Sequence, residues 1–171
     1  MSAVVYARLR ATDPARWRSA AADWSVCAGL AEQWAGRLRA LAARVKTVWS
    51  GTAARAAAAR LDRLRRTALA LQVLCRGVQR ALTEFATALG RAGERLTHGR
   101  LLAAEAGLNV DIAGTVIVPA MPVAGAPLWS AFRTAGLRHA ATRAAAEISA
   151  ALSTAAEADE ITTRRLTRAG W

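Results

Sequence analysis

The sequence is short of most of what builds sheets and active sites. It has one tyrosine, two phenylalanines, two cysteines, two histidines, four prolines and a single lysine, Lys46. Aromatics at 5% and rare Gly or Pro interruptions argue against a strand-rich fold, because strands favour aromatic and β-branched residues. Cys27 and Cys75 form no CxxC pair, and His98 and His139 lie far from either along the chain, so no zinc set or other metal site is expected. Neither histidine has an acid and a nucleophile at catalytic spacing, Asp159-Glu160 is unmatched by a second carboxylate pair, and no Gly-rich phosphate loop follows a strand. No catalytic residue and no cofactor are therefore expected. The opening residues to Trp17 carry Arg8, Arg10, Asp13 and Arg16 and lack the apolar stretch of a classical signal peptide. The uncharged stretch Ile112 to Phe132 has the length of a membrane span, but Gly114, Pro119, Pro122, Gly125 and Pro127 would break a lipid-facing helix repeatedly, so no stable span is expected.

What is present is alanine, leucine and arginine. Of 171 residues, 54% are apolar, enough to bury a core, and the excess of strong helix formers predicts an all-α fold in a single helical domain. The formal charge of +12 is carried almost wholly by arginine, which with the alanine content suggests a GC-rich genome. Such a balance favours an acidic partner, an anionic surface or nucleic acid, and equally fits a basic face that only meets solvent.

Asp13-Pro14 supplies a capping acceptor followed by a ring preset for the first helical turn, so a first long helix is expected over about 14–48. Trp17, Ala20, Trp24, Cys27, Ala31, Trp34, Leu38, Leu41, Val45 and Val48 recur along it at alternating steps of three and four, the spacing of a packing seam. A second seam of the same spacing runs through Ala54, Ala57, Leu61, Leu64, Ala68, Leu71, Cys75, Val78, Leu82, Phe85, Leu89, Ala92 and Leu96, predicting a helix over about 52–104. The second seam is out of phase with the first by two positions, so the chain must turn at Trp49-Ser50-Gly51 and form an antiparallel helical hairpin. Trp34-Ala35-Gly36 has the same pattern, but the first seam runs through it unbroken and marks Trp34 as a core residue.

Beyond Gly107, β-branched residues on either side of a Gly-containing turn predict a small β-hairpin within 108–118, followed by a Pro-rich linker to 127. A third long helix is expected over about 128–168, with Leu137, Ala141, Ala144, Ile148, Ala151 or Leu152, Ala155, Thr162 and Leu166 on one face, long enough to fold back over the overhanging end of the second. Trp129 and Trp171 lie off these stripes.

Three sets of residues stand out as candidates for contact with other molecules. Trp49 and Gly51 form a recognition element at the hairpin tip, where a large amphipathic ring beside a tight turn offers a grip, though packing of the hairpin end accounts for them equally. Trp17, Trp24, Trp34, Leu61, Leu64, Leu71, Leu82 and Phe85 form the helical interface, read first as core packing. Arg60, Arg63, Arg65 and Arg66, interrupted only by Asp62, form the densest basic patch, with Arg37, Arg39, Arg44 and Lys46 near the same end. For this patch the order of preference is a solvated face, then an acidic protein, then nucleic acid, since no helix-turn-helix, RNA-binding sheet or basic zipper accompanies it. Cys27 and Cys75 lie at matched distances from the turn, so a cross-hairpin disulfide and two free thiols both fit the spacing; their places on the apolar seams favour buried free thiols.

The hairpin, its Trp49-Ser50-Gly51 turn, the opening Val4-Val5-Tyr6 with Asp13-Pro14 and Trp17, and the later Gly107-Leu108-Asn109-Val110 with Gly114-Thr115-Val116 together resemble the WxG family of helical-hairpin proteins of type VII secretion, more closely the actinobacterial type VII secretion-signal domain. The resemblance covers nearly the whole chain. It implies a four-helix bundle made by homo- or heterodimerisation with another helical type VII protein or a cognate effector, or by the third helix packing in cis. It also implies recognition by a secretion ATPase or chaperone, with Trp49 and Gly51 as the matching positions. The family's YxxxD or YxxxE export signal has no counterpart, Tyr6 being the only tyrosine, so a partner is expected to supply it. No toxin or hydrolase domain follows the helices, which favours a stand-alone partner, carrier or chaperone-like subunit. The expected location is the cytoplasm before export, with secretion by the type VII route, and the alternative function is that of an Arg-rich helical protein binding nucleic acid or another anionic surface.

Overall fold

The computed structural model describes residues 3–119 and 127–168, with side chains described over 6–119 and 134–168. The expected Pro-rich linker falls largely outside these residues, as do the side chain of Trp129 and all of Trp171. The elements run α1 (Ala3–Ala11), α2 (Pro14–Val48), α3 (Thr52–Glu105), β1 (Asn109–Val110), β2 (Val116–Ile117) and α4 (Pro127–Arg168). The fold is thus all-α, a long helical hairpin and a further long helix with a two-stranded insertion. The chain packs as two compact units, Met1–Pro14 with Phe85–Ile161 and Ala15–Glu84 with Thr162–Trp171.

In the first unit, Phe85, Leu89, Ala92 and Leu96 of α3 meet Ile148, Ala151, Leu152 and Ala158 of α4, and Tyr6 and Leu9 of α1 close the same cluster. The α3 residues and Ile148, Ala151 and Leu152 of α4 lie on the faces that the spacing marks, whereas Ala158, Tyr6 and Leu9 do not. Gly99 continues the α3 face against α4, where a Cβ would stand 3.0 Å from the Ala144 carbonyl oxygen, 3.0 Å from Ile148 Cγ1 and 3.1 Å from Glu147 Cβ. Helix α3 ends in paired capping bonds, with Leu108 N–H donating to the Ala103 carbonyl and Gly107 N–H to that of Ala104, while Gly107 takes φ +69° and Leu108 and Ala103 are buried in one cluster. The chain then enters the insertion, where Asn109 pairs with Ile117 and Val110 with Val116. Asp111 organises the turn, its Oδ1 accepting from the amides of Ala113 and Thr115, both at 2.8 Å. Those amide bonds, led by that from Thr115, hold the Asp111 carboxyl below the usual carboxylate range. Gly114, at φ +83°, lets the buried Tyr6 ring sit where a Cβ would be 2.6 Å from Tyr6 Cδ2.

Helix α1 is not announced by the spacing of the opening residues. Nine residues are too few to hold a helix in water alone, and α1 is anchored by the burial of Tyr6 and Leu9. Pro14 disfavours a helical conformation at Asp13 and separates α1 from α2.

In the second unit α2 and α3 run antiparallel. The turn between them falls at Trp49-Ser50-Gly51, with the Trp49 amide closing the last α2 bond to the Val45 carbonyl and the Gly51 carbonyl accepting the first α3 bond from Arg55 N–H. Gly51 takes φ +92°, a left-handed conformation that explains glycine here. Ala21 of α2, Val78 and Leu82 of α3 and the flanking Ala20, Trp24 and Leu166 form this unit's cluster. Glu84 pairs with Arg165, and across the hairpin Glu32 Oε2 accepts from Arg76 and Gln72, each at 2.8 Å.

Candidate interaction surface

The hairpin seam is made by smaller side chains than the spacing suggests. The fully buried residues of α2 are Ala21, Ala28, Ala31 and Ala35, and half-buried Trp24, Leu38, Ala42 and Val45 complete the face. On α3 the corresponding positions are Ala54, Ala58, Leu61, Arg65, Ala68, Gln72 and Cys75. On each helix every second position differs by one residue from the expected stripe. Two heptad rows lie side by side on α2, Ala21, Ala28, Ala35 and Ala42 in one and Cys27, Trp34, Leu41 and Val48 in the other, and the alanine row faces α3. Alanine at these positions lets the two helices approach closely, and the one seam indole, Trp24, is accommodated half-buried against Val78 and Leu82.

The larger row is displaced outward. Trp34 is 56% exposed and Leu41 48%, and on α3 Leu64 and Leu71 are each 49% exposed. Trp34, Leu64 and Leu71, expected as core, are thus surface residues, and Trp17 is also exposed. Trp24 and Leu61 are half-buried in the seam, and Leu82 and Phe85 are buried as expected. Cys27 stands in the outward row and is exposed, whereas Cys75 lies in the seam and is buried; both thiols are free, so the expectation of two buried thiols holds only for Cys75. Burial pushes the Cys75 thiol above its ordinary pKa.

The outward rows of both helices share one side of the hairpin. Glu32 and Arg76 each follow a seam residue by one position and meet across one edge. Trp34, Leu41, Leu64 and Leu71 each precede a seam position by one, and in an antiparallel pair they therefore lie together on the opposite edge. Arg37 borders this apolar strip, its guanidinium carbon 5.5 Å from the centroid of the Trp34 ring.

Around the hairpin tip, Trp49 is half-exposed and faces an open cleft of about 870 Å³ lined by Arg39, Lys46, Gly51, Asp62 and Arg65 among others. The basic patch is divided. Arg65 is half-buried and bonded to Asp62 at 2.9 Å, with Arg66 3.6 Å from the same carboxylate, and the Arg65 bond leads in holding the Asp62 carboxyl below its usual range. Arg60 and Arg63 are exposed on the solvent side of α3. Among the described residues no cluster of His, Cys, Asp or Glu is arranged to hold a metal ion, and no helix is long and apolar enough to cross a membrane.

The strip Trp34-Leu41-Leu64-Leu71 is the feature that reasoning from spacing misassigns. A readable signal for it exists: alanine at a strict seven-residue interval one position after the large residues. No family model, curated protein or solved structure matches the chain.

Proposed function

We propose that the protein is a non-enzymatic helix-pairing module, and that it works as a substrate, targeting partner or chaperone-like subunit of type VII secretion. The observation that supports pairing is the row of large apolar side chains, Trp34, Leu41, Leu64 and Leu71, left half-exposed beside a hairpin seam whose buried α2 residues are all alanine. A second helical chain laid against that strip completes a bundle with the usual interlocking of large side chains. The type VII assignment rests on the resemblance of the hairpin with its Trp49-Ser50-Gly51 turn, and on Trp49 and the tip cleft being accessible to a secretion ATPase or chaperone.

Co-expression with the products of neighbouring genes tests the reading. A stoichiometric complex with one of them, and its appearance outside cells only when a type VII system is active, is the expected result. A chain that stays monomeric with and without its genomic neighbours, and is never found outside such cells, would remove the proposal. Nucleic-acid binding ranks behind helix pairing because the cations here are interleaved with aliphatic side chains that a phosphate backbone has no use for.

A further inference from the structure

We infer that the occupant of the outward strip is an acidic amphipathic helix of a different protein, and not a second copy of this chain; the inference rests on the helix-pairing reading above and specifies its partner. The strip is bordered by cations on both helices. Arg37 falls between Trp34 and Leu41, Arg44 falls between Leu41 and Val48, each one helical turn from its neighbours, and Arg60 stands one turn before Leu64. All three are exposed, and Arg37 is held beside the Trp34 ring, so a helix that covers the ring also meets the guanidinium. The half of the hairpin nearer its tip, residues 33–74, carries nine basic side chains against one carboxylate, a net +8, and that carboxylate, Asp62, is already engaged by Arg65 and Arg66.

Docking removes this border from water, where the arginines need counter-charges. A second copy would bring an equally cationic border into contact with the first in either orientation, since the excess is spread over both helices and its sole carboxylate is spoken for. A partner helix with leucines in the strip and glutamates on its flanks fills the apolar groove and supplies carboxylates to Arg37 and Arg44 on one edge and Arg60 on the other. Matched charge of this kind sets partner choice more than it sets raw affinity.

The test uses the full chain and designed four-heptad helices with identical leucine faces whose flanking positions are Glu, Gln or Lys, with titration calorimetry and sedimentation as readouts. The Glu helix should bind at least about tenfold more tightly than the Gln helix, the Lys helix should not bind, and high salt should narrow the difference. Arg37→Glu with Arg44→Glu and Arg60→Glu should invert the order, and Trp34→Ser should abolish binding of every helix. Equal binding of all three helices, or a dimer of the chain alone that Trp34→Ser dissolves, would overturn the acidic partner while leaving helix pairing standing. Failure of every helix to bind, with no self-association, would overturn both. Tighter binding of duplex DNA that is unaffected by Trp34→Ser would assign the cations to nucleic acid and overturn the inference.

Discussion

Helix α3 packs tightly against α4 at Gly99, and the consequence can be measured by placing the same methyl at two glycines of one helix. In an open part of a helix, Gly→Ala removes backbone freedom from the unfolded chain and gains about 0.5–1 kcal/mol. Gly93 is such a site, with no atom within 4 Å of a Cβ built there. At Gly99 the same local gain applies, but the methyl meets three atoms of α4 at 3.0, 3.0 and 3.1 Å, one of them the Ala144 backbone oxygen. Backbone cannot rotate away as the end of a flexible side chain can, and Ala144 and Ile148 are buried at 0% and 1% exposure. Helix α4 must therefore back off by a few tenths of an ångström along a fully packed contact. Overpacking of this kind costs about 1–3 kcal/mol, so Gly99→Ala should be destabilised relative to Gly93→Ala by about that amount. Urea unfolding followed by far-UV circular dichroism, run on both variants and the parent, measures the difference directly. If Gly99→Ala stabilises the chain as much as Gly93→Ala does, the close approach of α3 and α4 is wrong.

Gly114→Ala should destabilise the first unit by about 1–2 kcal/mol for a left-handed alanine and further for the collision with Tyr6, seen as a lowered thermal midpoint; an unchanged midpoint would remove the Tyr6 contact. The Asp111 carboxyl has a folded pKa below its unfolded value, so its contribution is fully present above the usual range near about 3.9 and disappears as pH falls through the lower folded value. Thermal midpoints recorded on descending pH should fall less steeply for Asp111→Asn than for the parent, and parallel curves would contradict the turn assignment. Cys27 should be alkylated rapidly by a maleimide in the folded protein and Cys75 only on unfolding, as mass spectrometry of the labelled peptides will show; equal labelling rates would refute the seam.

Much of the architecture was legible because local chemistry and global packing agree. Asp13-Pro14 starts α2, the phase break at Trp49 to Gly51 coincides with the turn, and the α4 face through Ala144, Ile148, Ala155 and Thr162 is the face that packs. Three features were not legible, for separable reasons. Helix α1 depends on tertiary burial of Tyr6 and Leu9, which nine residues of local propensity cannot reveal. Gly99 reads as a helix-weakening glycine, whereas its use is to admit the α4 backbone. In the hairpin, hydrophobicity favours Trp34, Leu41, Leu64 and Leu71 for the seam, but close approach favours the alanines beside them, and the rows differ by only one residue. The tip motif, Trp49 and Gly51, keeps its place at the turn, while the strip displaced from the seam becomes the stronger candidate for contact with a partner.

The central claim is that this strip serves binding and not the stability of the hairpin itself. The double substitution Trp34→Ser with Leu71→Ser, assayed side by side for equilibrium unfolding and for complex formation with the co-expressed partner, tests it most directly. A loss of no more than about 2 kcal/mol in the isolated chain, as removal of two half-exposed side chains entails, together with loss of the complex is the predicted result. A loss of several kcal/mol in the isolated chain, or a complex that survives the substitution, would contradict it.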